Sequence, residues 1–127
     1  MATEKPLVLV VDDEEHICAI LSRILQAEGY RVLIAREGKT ALELIEKNKP
    51  DVVLLDIVMP GIDGREVCRK TRELSTATQI IYHTAQVEPF KSSTLTELKK
   101  EANAFLAKPA TGKQILSTVN SVLVGAQ

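Results

Sequence analysis

Residues 52–55 read Val-Val-Leu-Leu and are followed at once by Asp56, Ile57 and two turn signals, Pro60-Gly61 and Asp63-Gly64. An apolar run without alternation suits a central parallel strand covered on both faces. We expect a strand from Asp51 to Ile57 that runs straight into a turn. A carboxylate at the carboxyl end of such a strand lies where open α/β sheets keep their binding sites. The rest of the chain can then be asked what else reaches that edge.

The flanking segments alternate between strand and helix patterns. Leu7–Val11 predicts strand one. Asp13 is suited to cap the helix that follows, in which Ile17, Ile20, Leu21, Ile24 and Leu25 repeat at helical spacing and which Gly29 ends. Arg31–Ala35 predicts strand two and Lys39–Asn48 helix two. After strand three come helix three over Arg65–Leu74 and strand four over Gln79–His83. Helix four is expected from Pro89 to about Glu101, with Leu95 and Leu98 facing in. Ala104–Ala107 is strand five and Gln114–Val124 helix five. Five strand–helix pairs argue for a parallel sheet with helices on both faces. Right-handed crossovers then favour one α/β domain over residues 1–127: a doubly wound, five-stranded, flavodoxin-like sheet of order 2-1-3-4-5 with five helices.

At 127 residues, 45% of them hydrophobic, the chain can bury a single core. Its 16 basic and 17 acidic residues give a net charge of −1, which offers no electrostatic footprint for nucleic acid or an anionic membrane. No apolar run approaches a membrane span, and residues 1–6 carry no signal-peptide pattern, so a cytoplasmic location is expected. Cys18 and Cys68 fall in different helices without metal spacing and read as buried free thiols. Neither a GxGxxG loop after strand one nor a GxxxxGK[ST] loop is present.

In a parallel sheet all carboxyl ends lie on one side. Strand one brings Asp12 and Asp13 there, strand three Asp56, strand four Thr84 and strand five Lys108. Three clustered carboxylates repel unless a cation intervenes, and a hard divalent ion such as Mg²⁺ is the natural one for oxygen ligands. Lys108 points to an anion beside the metal. These parts suit phosphoryl chemistry on a carboxylate, with Asp as nucleophile, metal and Lys neutralising the phosphoryl oxygens, and Thr as a donor. Asp51 and Asp63 read as turn or cap residues, and His16 as an exposed helix residue. His83 is either a hydrogen-bonded strand residue, the reading we favour, or a source of pH sensitivity.

Together, 10–14 (Val-Val-Asp-Asp-Glu), 50–64 (the strand-three stretch), Thr84-Ala85 and Phe105-Leu106-Ala107-Lys108-Pro109 resemble the receiver domains of two-component response regulators, in that family's order and over about residues 5–124. The resemblance implies that Asp56 accepts a phosphoryl group from a sensor histidine kinase or phosphotransfer protein. It implies Mg²⁺ held by Asp13 directly, by Asp12 often through water, by Asp56 and by the backbone carbonyl of Ile57. It further implies a switch hydroxyl at Thr84, a switch aromatic at Phe105, a phosphate-contacting Lys108 and a cis Lys108–Pro109 peptide. The output would be a reshaped surface of helix four, strand five and helix five, read by a downstream protein partner, with a phosphorylation-dependent dimer as one form. Catalysis would be limited to self-phosphorylation and dephosphorylation of Asp56. Both a stand-alone regulator and a module of a larger protein fit.

The match is weakest between Gln86 and Ala104, where Glu101 stands in place of a common glycine. Val58 and Gln86 occupy positions that tune dephosphorylation in the family. Val58 has no polar group to orient water, so a long-lived phosphoryl group is expected. From Gln114 to Gln127 helix five carries no charge, which speaks against the charge-paired dimers of winged-helix regulators. A haloacid dehalogenase-type phosphatase would need a second Asp where Val58 stands, and a cap domain. A receiver that binds partners without phosphorylation is the other alternative, against which the full residue set argues.

Overall fold

The computed structural model describes residues 5–85 and 92–125, and of 92–95 the backbone alone. Five parallel strands, β1 (Leu7–Val11), β2 (Arg31–Ala35), β3 (Val52–Leu55), β4 (Gln79–Thr84) and β5 (Ala104–Ala107), form one sheet in the order β2-β1-β3-β4-β5. They alternate with α1 (Glu15–Ala27), α2 (Gly38–Asn48), α3 (Gly64–Leu74), α4 (Ser92–Glu101) and α5 (Gly112–Gly125). The expected architecture and strand order are therefore present.

The period-two side-chain alternation of strands sorts the core into two layers. Leu9, Val11, Val53, Leu55, Ile80 and Tyr82 face α2, α3 and α4, where they meet Ala41, Ile45, Val67, Cys68 and Leu98. Val8, Val10, Val52, Leu54 and Ile81 face α1 and α5, against Cys18, Leu21, Leu25, Ile115 and Val119. All four β3 residues are buried, which is why that strand is apolar without interruption. Both cysteines are buried and free.

Several boundaries differ from the sequence expectation, each for a local reason. β3 is shorter than 51–57. The Asp51 carboxylate accepts the Leu7 N–H at 2.8 Å and the Asp56 carboxylate accepts the Val58 N–H at 3.2 Å, and each residue keeps one backbone bond to β1, to Leu7 O and Val11 O at 2.9 Å, just outside the paired register. β4 runs one residue further, to Thr84, because Thr84 pairs with Ala107. α1 is not capped by Asp13. Glu14 is its N-cap without a side-chain bond, and the Asp12 carboxylate accepts the Glu14 N–H at 2.9 Å. α3 begins at Gly64 behind Asp63, which caps it as expected by accepting the Glu66 N–H at 3.0 Å. α2 likewise begins one residue early, at Gly38. α5 starts at Gly112 rather than Gln114, since Thr111 and Gln114 bond each other's backbone N–H groups, at 3.1 and 2.8 Å, in a capping box. In α4, Leu98 is fully buried as expected, whereas Pro89 and the side chain of Leu95 lie outside what is described.

Candidate functional site

The carboxyl ends of β1, β3 and β5 converge. Ligand oxygens of Asp12, Asp13 and Asp56 all lie within 4.8 Å of one another. Asp12 and Asp56 are buried and Asp13 half-buried. Burial and the charge of Asp12 raise the pKa of Asp56, and the neighbouring Lys108 only partly offsets this. Lys108 Nζ lies 2.6 Å from Asp12 Oδ2 and 3.2 Å from Asp56 Oδ2. Burial works against the Lys108 ammonium, but its bonds to Asp12 and Asp56 prevail and its pKa is raised. Among the described residues Lys108 is the cation paired with these carboxylates, which leaves an excess of negative charge that a harder cation would complement.

Main-chain packing fixes Asp56. The Asp56 N–H donates to Val11 O at 2.9 Å, and the Ile57 carbonyl accepts the Gly64 N–H at 2.9 Å. A carbonyl has two lone pairs, so that of Ile57 keeps one for another partner. Gly64 is required at its place. A Cβ there would lie 2.3 Å from Asp56 O and 2.6 Å from the Ile57 Cα, which are main-chain atoms that cannot swing away. The Lys108–Pro109 peptide is cis.

Thr84 is fully buried at the end of β4, and its Oγ1 has no hydrogen-bond partner among the described residues. Such a group is costly to leave unmade and so is a ready donor for an incoming acceptor. Phe105 is half-buried, packs against the α2–α3–α4 layer and lies in register with Tyr82 on β4. His83 is buried on β4, and burial, then the charge of Lys108, push its pKa down to about 4. His16 is exposed beside Glu14. Gln86 lies outside the described residues, and Val58 is 53% exposed at the mouth of the site.

Two features escaped the reading of the sequence. One is Arg36, whose Nη2 donates to the Asp13 carbonyl at 3.1 Å. No motif marks it; only its place just after β2, beside β1, could have. The other is a bridge from α3 through α4 to β4. Arg65 is ion-paired with Glu101, whose Oε1 accepts the hydroxyl proton of the buried Tyr82 at 2.8 Å. The Arg65 partnership lowers the Glu101 pKa, and burial raises that of Tyr82.

The fold and this edge point to a class, the receiver domains of signalling proteins. The response regulator receiver domain family matches residues 8–120, and the chain belongs to it. It is 36% identical over 116 residues to the alkaline phosphatase synthesis transcriptional regulatory protein PhoP of Bacillus subtilis (strain 168), covering 91% of this chain and 48% of that protein. It is 37% identical over 116 residues to the response regulator MprA of Mycobacterium sp. (strain KMS), covering 91% of this chain and 50% of that one. The chain thus spans about half the length of these curated relatives. Among solved structures, a CheY-like response regulator receiver domain protein from Methanospirillum hungatei JF-1 superposes with a TM-score of 0.88 at 27% identity, covering 96% of both chains. A receiver of this family is a signalling module rather than a metabolic enzyme. Among the described residues no helix is long and apolar enough to cross a membrane.

Proposed function

We propose that this chain, as one domain over residues 1–127, is the phosphorylation switch of a two-component system. The observation that carries this reading is the shared Lys108 ammonium, 2.6 Å from Asp12 and 3.2 Å from Asp56 within a cluster of three carboxylates. An oxygen of Asp56 attacks the phosphorus of a phosphohistidine. The new O–P bond forms as the P–N bond breaks, and the imidazole leaves. Asp13, Asp56 and the Ile57 carbonyl, with Asp12 through water, are the residues to hold Mg²⁺, and the three clustered carboxylates fit a hard divalent cation. When bound, that ion would neutralise charge on the phosphoryl oxygens. Lys108 then turns from its carboxylate partners toward the phosphoryl group.

Thr84 donates its orphan hydroxyl to the aspartyl phosphate, and Phe105 moves into the space released. The surface of α4, β5 and α5 shifts between two packings, biased only by the contacts the phosphoryl group makes in each. The partners are a sensor histidine kinase or phosphotransfer protein and a downstream protein. The place of action is the cytoplasm. The name of the PhoP relative, a transcriptional regulatory protein, is compatible with this domain serving a longer regulator.

Mass spectrometry after incubation with acetyl phosphate and Mg²⁺ tests the proposal. One added phosphoryl group that needs Mg²⁺ and is absent from Asp56→Asn supports it. A gain that persists in Asp56→Asn rejects Asp56 as the acceptor. No gain, together with no binding of beryllofluoride, rejects the phospho-accepting reading.

A further inference from the structure

The acidic pair Asp12-Asp13 lies just past the end of β1, where the ladder of hydrogen bonds to β2 runs out. The β1–β2 register ends at Val11↔Ala35. One more backbone rung follows, from the Asp12 N–H to Ala35 O at 3.1 Å. The next contact between the two segments comes from a side chain, with Arg36 Nη2 donating to Asp13 O at 3.1 Å. On the other side, the buried thiol of Cys18 donates to Asp12 O at 3.3 Å, and the Glu14 N–H bonds Asp12 Oδ1 at 2.9 Å. Asp12 is thereby held from β2, from α1 and through its own carboxylate. Asp13 is half-buried, and its carbonyl is held by Arg36.

We propose that Arg36 is a positioning residue for the metal-binding function, bracing Asp13 so that its carboxylate stays with those of Asp12 and Asp56. The assignment rests on the metal-dependent reading given above. Arg36 also places a positive charge near the cluster, and charge and bracing have opposite consequences. If charge governed, removing Arg36 would tighten binding of a divalent cation. If bracing governs, removal weakens it. Bracing is favoured because the guanidinium is exposed, so water and salt screen its field, and because it bonds a neutral carbonyl rather than a carboxylate. Loss of the brace acts directly on a ligand residue. Groups that orient metal ligands commonly carry about tenfold or more in metal affinity.

The test is Mn²⁺ binding, read from the electron paramagnetic resonance of free Mn²⁺, for the wild type, Arg36→Ala and Lys39→Ala. The last removes an equal charge from an exposed position nearby. Bracing predicts about tenfold weaker binding for Arg36→Ala and a change within about twofold for Lys39→Ala. Phosphorylation by acetyl phosphate should need correspondingly more Mg²⁺ in Arg36→Ala and regain the wild-type rate at saturation. A merely structural role would lower the melting midpoint and leave the Mg²⁺ requirement unchanged. Equal or tighter Mn²⁺ binding by Arg36→Ala overturns the proposal, as does equal weakening by Lys39→Ala. A wild type that takes up no Mn²⁺ sinks the metal-dependent reading itself, and the assignment of Arg36 with it.

Discussion

His83 is a buried basic side chain, one residue before Thr84 and within the fields of Lys108 and Asp12. Above about pH 6.5 its imidazole is neutral in both folded and unfolded chains. As the pH falls from there toward 4, the unfolded chain takes up a proton that the folded chain refuses, so stability falls. The shift to about 4 corresponds to roughly 3 kcal/mol, fully expressed only below that pH. His83→Leu should flatten this part of the stability curve, measured by urea denaturation between pH 7 and 4; an unaltered slope would refute the assignment. At the mouth of the site, exposed Val58 offers nothing to align an attacking water. Val58→Asn should therefore shorten the phosphoryl lifetime severalfold, followed by mass spectrometry after the donor is removed. Equal lifetimes would show that other groups control hydrolysis.

Among the elements, the bridge from Arg65 through Glu101 to Tyr82 ties α3, the end of α4 and β4 together. Arg72 adds to it by donating to the Glu101 carbonyl at 3.0 Å and to Asn103 Oδ1 at 3.1 Å. Tyr82→Phe keeps the ring and removes the hydroxyl that bonds Glu101. It should cost about 1 kcal/mol, whereas Glu101→Ala should cost more because it removes the partner of Arg65 as well as an acceptor of the Tyr82 hydroxyl. Chemical denaturation of both variants checks the order, and a smaller loss for Glu101→Ala would contradict it. The strands were legible in the sequence because β3 is apolar throughout and the other strands are bounded by turn chemistry. The convergence of Asp12, Asp13, Asp56 and Lys108 followed from parallel topology alone. The bridge was not legible, since the partners Arg65 and Glu101 stand 36 residues apart and no local pattern joins them. The start of α5 was legible in the Thr111–Gln114 capping box, a signal the apolar repeat overshadowed. Asp13 as a cap failed because Asp12, one residue earlier, takes the N–H of Glu14.

At the scale of the molecule, the site lies at one end of a sheet whose two faces pack against apolar helix layers, so binding there is coupled to folding of the whole. A divalent cation that binds only the folded chain should stabilise it by about 2.7 kcal/mol at 100 times its dissociation constant. Calorimetry with and without Mg²⁺ should show the melting midpoint rising for the wild type and not for Asp13→Asn. A rise of equal size in both would remove Asp13 from the ligand set.

The fit of Gly64 against the main chain of Asp56 and Ile57 bears on how this chain can change over generations. Most losses of function in a small domain begin as losses of stability, which any screen for folded protein will catch. At position 64 a methyl group would press on the main chain of Asp56 and Ile57, so any adjustment it forces falls on the segment that carries Asp56. A variant there could keep its helices and its sheet and still present Asp56 at the wrong angle. Silencing at this residue would pass unnoticed by selection for folding, and only an assay of signalling would expose it.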